Sequence, residues 1–302
     1  MVKVSMYSLI LFGVWFCSEG GSFGNKVKAE DSAFNSAQKA SENRISRHTY
    51  FYNPGRITID TAHNRALVID PGLDAVIAMD LTTGAYSVLS DDVTPDTNNP
   101  FRSPAGIAID SVHNRVLLTD WSLNAVIAVD LATGARSVLS DNSTPDADAP
   151  FGFPVAIAVD TAHNRALVTD NGLNSVIAVD LRTGKRRTLA DNGTPEIENP
   201  FDNTEDIAID SDHNRALVTN RFLNAVIAVD LTTGARNILS DTITPDANRP
   251  FGSPVDTAID TVHNRALVID YGLGLVLAVD LATGERSIIS NDSTPDAKIP
   301  AN

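Results

Sequence analysis

From residue 51 onward the chain is written in short apolar runs, each closed by a polar residue and followed by a polar turn. In FRSPAGIAIDSVHNRVLLTDWSLNAVIAVDLATGARSVLSDNSTPDADAP, residues 101–150, the runs are Gly106–Asp110, Arg115–Asp120, Ala125–Asp130 and Ala135–Ser140. The first three are continuous stretches of Ile, Val, Leu and Ala, a pattern that predicts strands buried on both faces. The fourth alternates polar and apolar positions, as an outer strand half open to solvent does. Helical periodicity is absent. Asp110–Asn114 and Leu131–Gly134 read as the turns between strands, with Gly134 free to take a positive φ.

The pattern restarts without insertion or deletion at Phe51, Phe101, Phe151, Phe201 and Phe251. A four-strand unit that cannot bury both of its faces alone must stack on its neighbours. Tandem copies of this kind predict an all-β fold, a β-propeller of five four-stranded antiparallel blades spanning 51–100, 101–150, 151–200, 201–250 and 251–300. The alternative is an incomplete ring of the six-bladed type. Every copy supplies all of its own strands, so none is exchanged between the chain ends. The seam between first and fifth blades is therefore expected to be the weakest interface.

The stretch GIAIDSVHNRVLLTDWSLNAVIAVDLATGARSVLS, residues 106–140, resembles the YWTD repeat of lipoprotein-receptor propellers, the NHL repeat and the SMP-30/gluconolactonase group. The shared features are the Pro-x-Gly-Ile-Ala-Ile-Asp first strand, the Thr-Asp pair closing the second, and the Gly before the fourth. The resemblance spans residues 51–300 and is one of blade type. Those families typically close with six blades, where this chain has five. From the lactonase group, the resemblance implies a metal-dependent hydrolase with carboxylate and Asn ligands in its channel. That motif has no residue-by-residue match here.

A formal charge of −15 over 302 residues excludes phosphate-backbone binding and disfavours anionic membranes. Lys3 followed by the apolar run Met6–Phe16 reads as an export signal over residues 1–20, too short to span a bilayer. The expected location is extracytoplasmic, secreted or periplasmic. Membrane attachment would come only through an uncleaved signal or a lipid on Cys17, a lipoprotein alternative that bulky Trp15 and Phe16 disfavour. Residues 21–50 read as a polar linker.

Five copies act as an internal control. What every copy carries is assigned to the scaffold: the His-Asn-Arg triplets (His63-Asn64-Arg65 and its repeats), and the strand-ending aspartates such as Asp60, Asp70 and Asp80. Arg136, Arg186, Arg236 and Arg286 are read as charge on the solvent edge. The linker Asp141–Asp148 lacks the Gly and terminal Glu of a calcium-binding EF-hand loop. The copies differ at the approach to strand one and in the loop between strands two and three, which share one face. There the candidate ligand-binding residues are Arg56, Trp121, Phe153, Asn171, Arg221, Phe222 and Tyr271. Glu205, Asp206 and Asp256 are the candidate metal ligands, for a divalent cation such as calcium.

The expected function is a non-catalytic exported binding module needing no cofactor, with a protein, peptide or glycan partner. The alternative is a metal-dependent lactonase-like hydrolase using the central channel, with Glu205 or Asp256 as general base. No Ser or Cys nucleophile motif and no phosphate-cradling Gly loop is present.

Overall fold

The computed structural model describes residues 51–95, 97–145, 149–195 and 199–290. The described blades belong to one compact unit that begins at Tyr52. The export signal, Cys17 and the 21–50 linker lie outside the described residues. Among those described, no helix is long and apolar enough to cross a membrane.

Five sheets of four antiparallel strands, each a simple meander, are arranged in a ring: a five-bladed β-propeller. In the second blade the strands run Pro104–Asp110, Arg115–Asp120, Ala125–Asp130 and Arg136–Asp141. Of the three continuous apolar runs, the two middle strands bury their apolar residues fully in the second, third and fourth blades, whereas the first strand, expected to be buried on both faces, leaves Ala108 and Ile109 half-buried. The four large apolar clusters each straddle a junction between consecutive blades. Leu67 and Ile69 of the first blade, for example, meet Phe101 and Leu118 of the second. Full burial of such a side chain contributes about 1.5–3 kcal/mol, so these junctions hold most of the apolar stabilisation.

The His-Asn-Arg triplet builds the bond that fixes one blade to the next. Asp110 caps the short 3-10 turn Ser111–His113, and Asn114 takes the left-handed conformation (φ 51°) that Asn tolerates. The Asp110 carboxylate then accepts from Arg115 Nε at 2.8 Å and pairs with His113 Nδ1 at 2.8 Å. Locked in this way, Arg115 donates through Nη2 to the Leu181 carbonyl of the third blade. Arg65, Arg165 and Arg215 do the same to Leu131, Leu231 and Leu281. At Asp60, burial raises the carboxyl pKa, but the contacts from Arg65 and His63 bring it below its ordinary value.

The outer-strand arginines are not on the solvent edge, contrary to expectation. Arg136, Arg186, Arg236 and Arg286 are buried, each lying over the Phe that opens its own copy at 4.7–5.2 Å. Arg136 donates to Ser90 Oγ (2.8 Å), the Thr94 carbonyl (3.0 Å) and the Asn99 carbonyl (2.8 Å) of the linker arriving from the first blade. The alternation that suggested an exposed edge instead points these side chains at the preceding blade. Gly134 shows how close that approach is. It sits at φ +74°, and a Cβ there would lie 1.9 Å from the Leu89 carbonyl oxygen.

Between the fifth and first blades the described residues differ. Arg265 bonds Asp260 within its own blade, and among the described residues it reaches no carbonyl of the first. Tyr86 stands where the other copies have the clamping Arg, and nothing lies within 4 Å of a Cβ built on Gly84. Ile57 is 58% exposed and Leu81 46%, against 8% for Ile107 and 3% for Leu131. The fifth blade likewise exposes Ile269 and Ile288. Among the described residues the seam thus lacks the Arg-to-carbonyl bond and the close glycine contact that join the other blades.

Replacing Arg236, the most buried of the clamps, with Met strands the Asn199 carbonyl and removes a charged donor from the Asp191 and Thr194 carbonyls, which keep only each other's backbone N–H. We expect a loss of about 2–4 kcal/mol in denaturant unfolding.

Candidate functional site

The varying segments do share one end of the ring, because backbone bonds tie them together. Trp121 N donates to the Ser103 carbonyl, Asn171 N to Phe153, Arg221 N to Asn203 and Tyr271 N to Ser253. The aspartate closing the second strand organises this end. Asp170 accepts from Gly152 N (2.8 Å), Phe153 N (2.8 Å) and Leu173 N (3.0 Å), which carries the first-strand approach and the loop on one carboxylate. Burial nevertheless raises the Asp170 pKa, against the pull of those N–H groups. Asp70 and Asp270 make equivalent bonds.

The fourth copy breaks this arrangement. Asn220 replaces the aspartate and accepts only from Leu223 N (3.3 Å), while its buried Nδ2 has no partner. An amide NH2 cannot accept from the approaching backbone, so Asn203 N turns to Asn174 Oδ1 of the third blade (3.1 Å) and Asn203 takes φ 60°. Asn171 is drawn into the same blade junction, accepting from Thr204 Oγ1 at 3.0 Å.

Of the expected ligand-facing residues, the aromatics stand out in the open. Trp121 and Phe153 stack across the junction of the second and third blades, with ring centroids 4.9 Å apart and both rings part-exposed. Phe222 is 64% exposed and Tyr271 73%. Sequence reasoning missed the leucines of the same loops. Leu73, Leu123, Leu173, Leu223 and Leu273 are exposed at this end, yet their presence in every copy assigned them to the scaffold. Tyr52 adds a further exposed ring on the same approach.

The charged candidates are paired with one another. Arg56 donates through Nη1 to Asp206 Oδ1 and through Nη2 to the Glu205 carbonyl (3.0 Å), and Nη1 lies 3.8 Å from Asp256 Oδ1. The Glu205 side chain faces Arg221 Nη1 at 3.6 Å instead. The three proposed metal ligands therefore do not converge as a set: Asp206 and Asp256 share a guanidinium and Glu205 looks elsewhere. Among the described residues no group of three or more His, Cys, Asp and Glu is placed to hold a metal ion. Asp206 is buried, and its Oδ2 accepts from Thr257 N at 2.9 Å. Burial, reinforced by Asp256 and opposed by Arg56, pushes its pKa up to about 7.

No protein-family model matches the chain, and no curated protein matches its sequence. Solved structures do match. One is the nidogen/laminin complex: TM-score 0.60, 16% identity, with 77% of this chain and 78% of that chain covered. Another is virginiamycin B lyase from Staphylococcus aureus: TM-score 0.59, 15% identity, with 82% and 72% covered. At such identities the likeness is one of fold, and the fold is a repeat-built β-propeller.

The raised Asp206 pKa has a definite sign. The folded protein holds a proton there that the unfolded chain, with its ordinary carboxylate value of 3.8, releases. This contribution is largest in acid and is lost as pH rises through about 7. Thermal midpoints should therefore fall for the wild type between pH 5 and pH 8 by more than for Asp206→Asn. Parallel profiles would place the titration in another group.

Proposed function

We propose that this protein is an exported, non-catalytic binding module whose loop-bearing end engages a protein, peptide or glycan partner. The observation that carries this reading is the concentration of exposed aromatic and leucine side chains at one end of the ring. A large apolar area of this kind marks an interaction surface, and aromatic side chains are enriched among the residues that dominate binding energy. The opposite end is built from the capped turns, and among the described residues Tyr86 is its one exposed aromatic. The likeness in fold to a chain of the nidogen/laminin complex, a protein–protein assembly, is consistent with a protein partner. Export rests on the apolar N-terminal run.

The hydrolase reading, with its divalent cation, ranks second for a physical reason. A metal at Asp206 and Asp256 would have to displace Arg56, a cation already seated between them. Accordingly, EDTA is expected to leave the thermal midpoint unchanged. A fall restored by calcium would return the channel carboxylates to the role of metal ligands.

The binding reading is tested by selecting peptides against the wild-type protein from a displayed random library. Their affinities are then measured for Trp121→Ala and Tyr271→Ala, and for Val262→Ala, an exposed apolar side chain on the opposite end. Each aromatic truncation should weaken binding about 10–30-fold, the equivalent of about 1.4–2 kcal/mol, while Val262→Ala has no effect. Loss confined to Val262→Ala would move the site to the other end.

A further inference from the structure

We propose that Arg56 is the clasp of the ring, an ion-paired latch between the first blade and the fourth and fifth that lets the seam open and shut. Between consecutive blades one to five, closure is overdetermined. A strand-two Arg reaches the next blade's carbonyl, a strand-four Arg grips the incoming linker, a glycine turn meets a backbone oxygen, and an apolar cluster fills the gap. At the seam, among the described residues, the first of these is missing, the Gly84 turn meets nothing, and Ile57 and Leu81 are exposed.

Arg56 alone among these position equivalents is cationic. Copies two to five carry Gly106, Ala156, Asp206 and Asp256 there. The fourth and fifth copies thus place two carboxylates where the first copy places a guanidinium. The Glu205 carbonyl supplies a further acceptor at 3.0 Å. Thr257, where the other copies have Ile, donates its backbone N–H to Asp206 and fixes that carboxylate's second oxygen. These substitutions are confined to the copies that the clasp joins.

A latch made of charge behaves unlike a packed junction. It contributes little apolar burial, so it can release without unmaking a core. Asp206 and Asp256 face Arg56, and Arg221 faces Glu205 beside them. With two carboxylates around one guanidinium, a single proton balances the cluster. By linkage, the proton that burial favours on Asp206 tightens closure as pH falls, opposite to a simple salt bridge.

The test is a distance measurement in the full chain with Cys17→Ser. Spin labels at Thr82→Cys and Val262→Cys span the seam, and labels at Val112→Cys and Arg182→Cys span the equivalent positions of the second and third blades. Arg56→Met should lengthen and broaden the seam distribution and leave the control pair unchanged. High salt should do the same to the unsubstituted protein, which keeps the test available if Arg56→Met fails to fold. An unchanged seam distance in both, or equal changes in both pairs, overturns the proposal.

Discussion

The bond from the strand-two arginine to the next blade's leucine carbonyl is the constraint on which the ring rests. A guanidinium on a long stem would ordinarily lose much conformational freedom by reaching across an interface. Here the freedom is removed locally, within one turn. The aspartate that caps the 3-10 turn also receives Arg115 Nε, and the left-handed Asn114 sets the backbone so that the next residue starts the strand in reach of it. The histidine completes the carboxylate's partners. Three neighbouring residues thus convert a flexible cation into a fixed connector, which explains why the triplet stands unaltered in each copy while its surroundings vary.

The blade architecture was legible because it rests on local rules. Periodicity, turn residues and the repeat gave the number of strands, their order, and the end at which the variable loops gather. What was not legible depends on contacts between copies. Arg136 and its equivalents alternate with apolar residues in a way that fits a solvent edge equally well, and only the arriving linker shows that they face inward. The exposed leucines were missed for the converse reason. Comparison among copies separates what differs from what is shared, and it treats a surface built from shared residues as scaffold. Arg56 was recognised as variable, but nothing in the sequence pairs it with residues 150 positions away.

The fourth copy shows how a single atom redirects a loop. Exchanging the carboxylate of Asp170 for the amide of Asn220 removes an acceptor at the point where the other blades gather their backbone N–H groups. The released segment leans on the third blade instead, through Asn203 and Thr204. This change lies next to Glu205 and Asp206, so the copy that supplies the charged residues near the channel is also the one whose approach has been rebuilt.

The inter-blade bonds that repeat from copy to copy put arginine donors and their acceptors in fixed places on each unit, one arginine reaching forward and one back. Such an interface is indifferent to how many units it joins. A duplicated fifty-residue segment inserted at any internal junction would find both of its neighbours already complementary, with no residue to redesign. The joining contacts therefore carry no information about the size of the ring. That number is written at the ends, in the few positions where the first and last copies depart from the repeat.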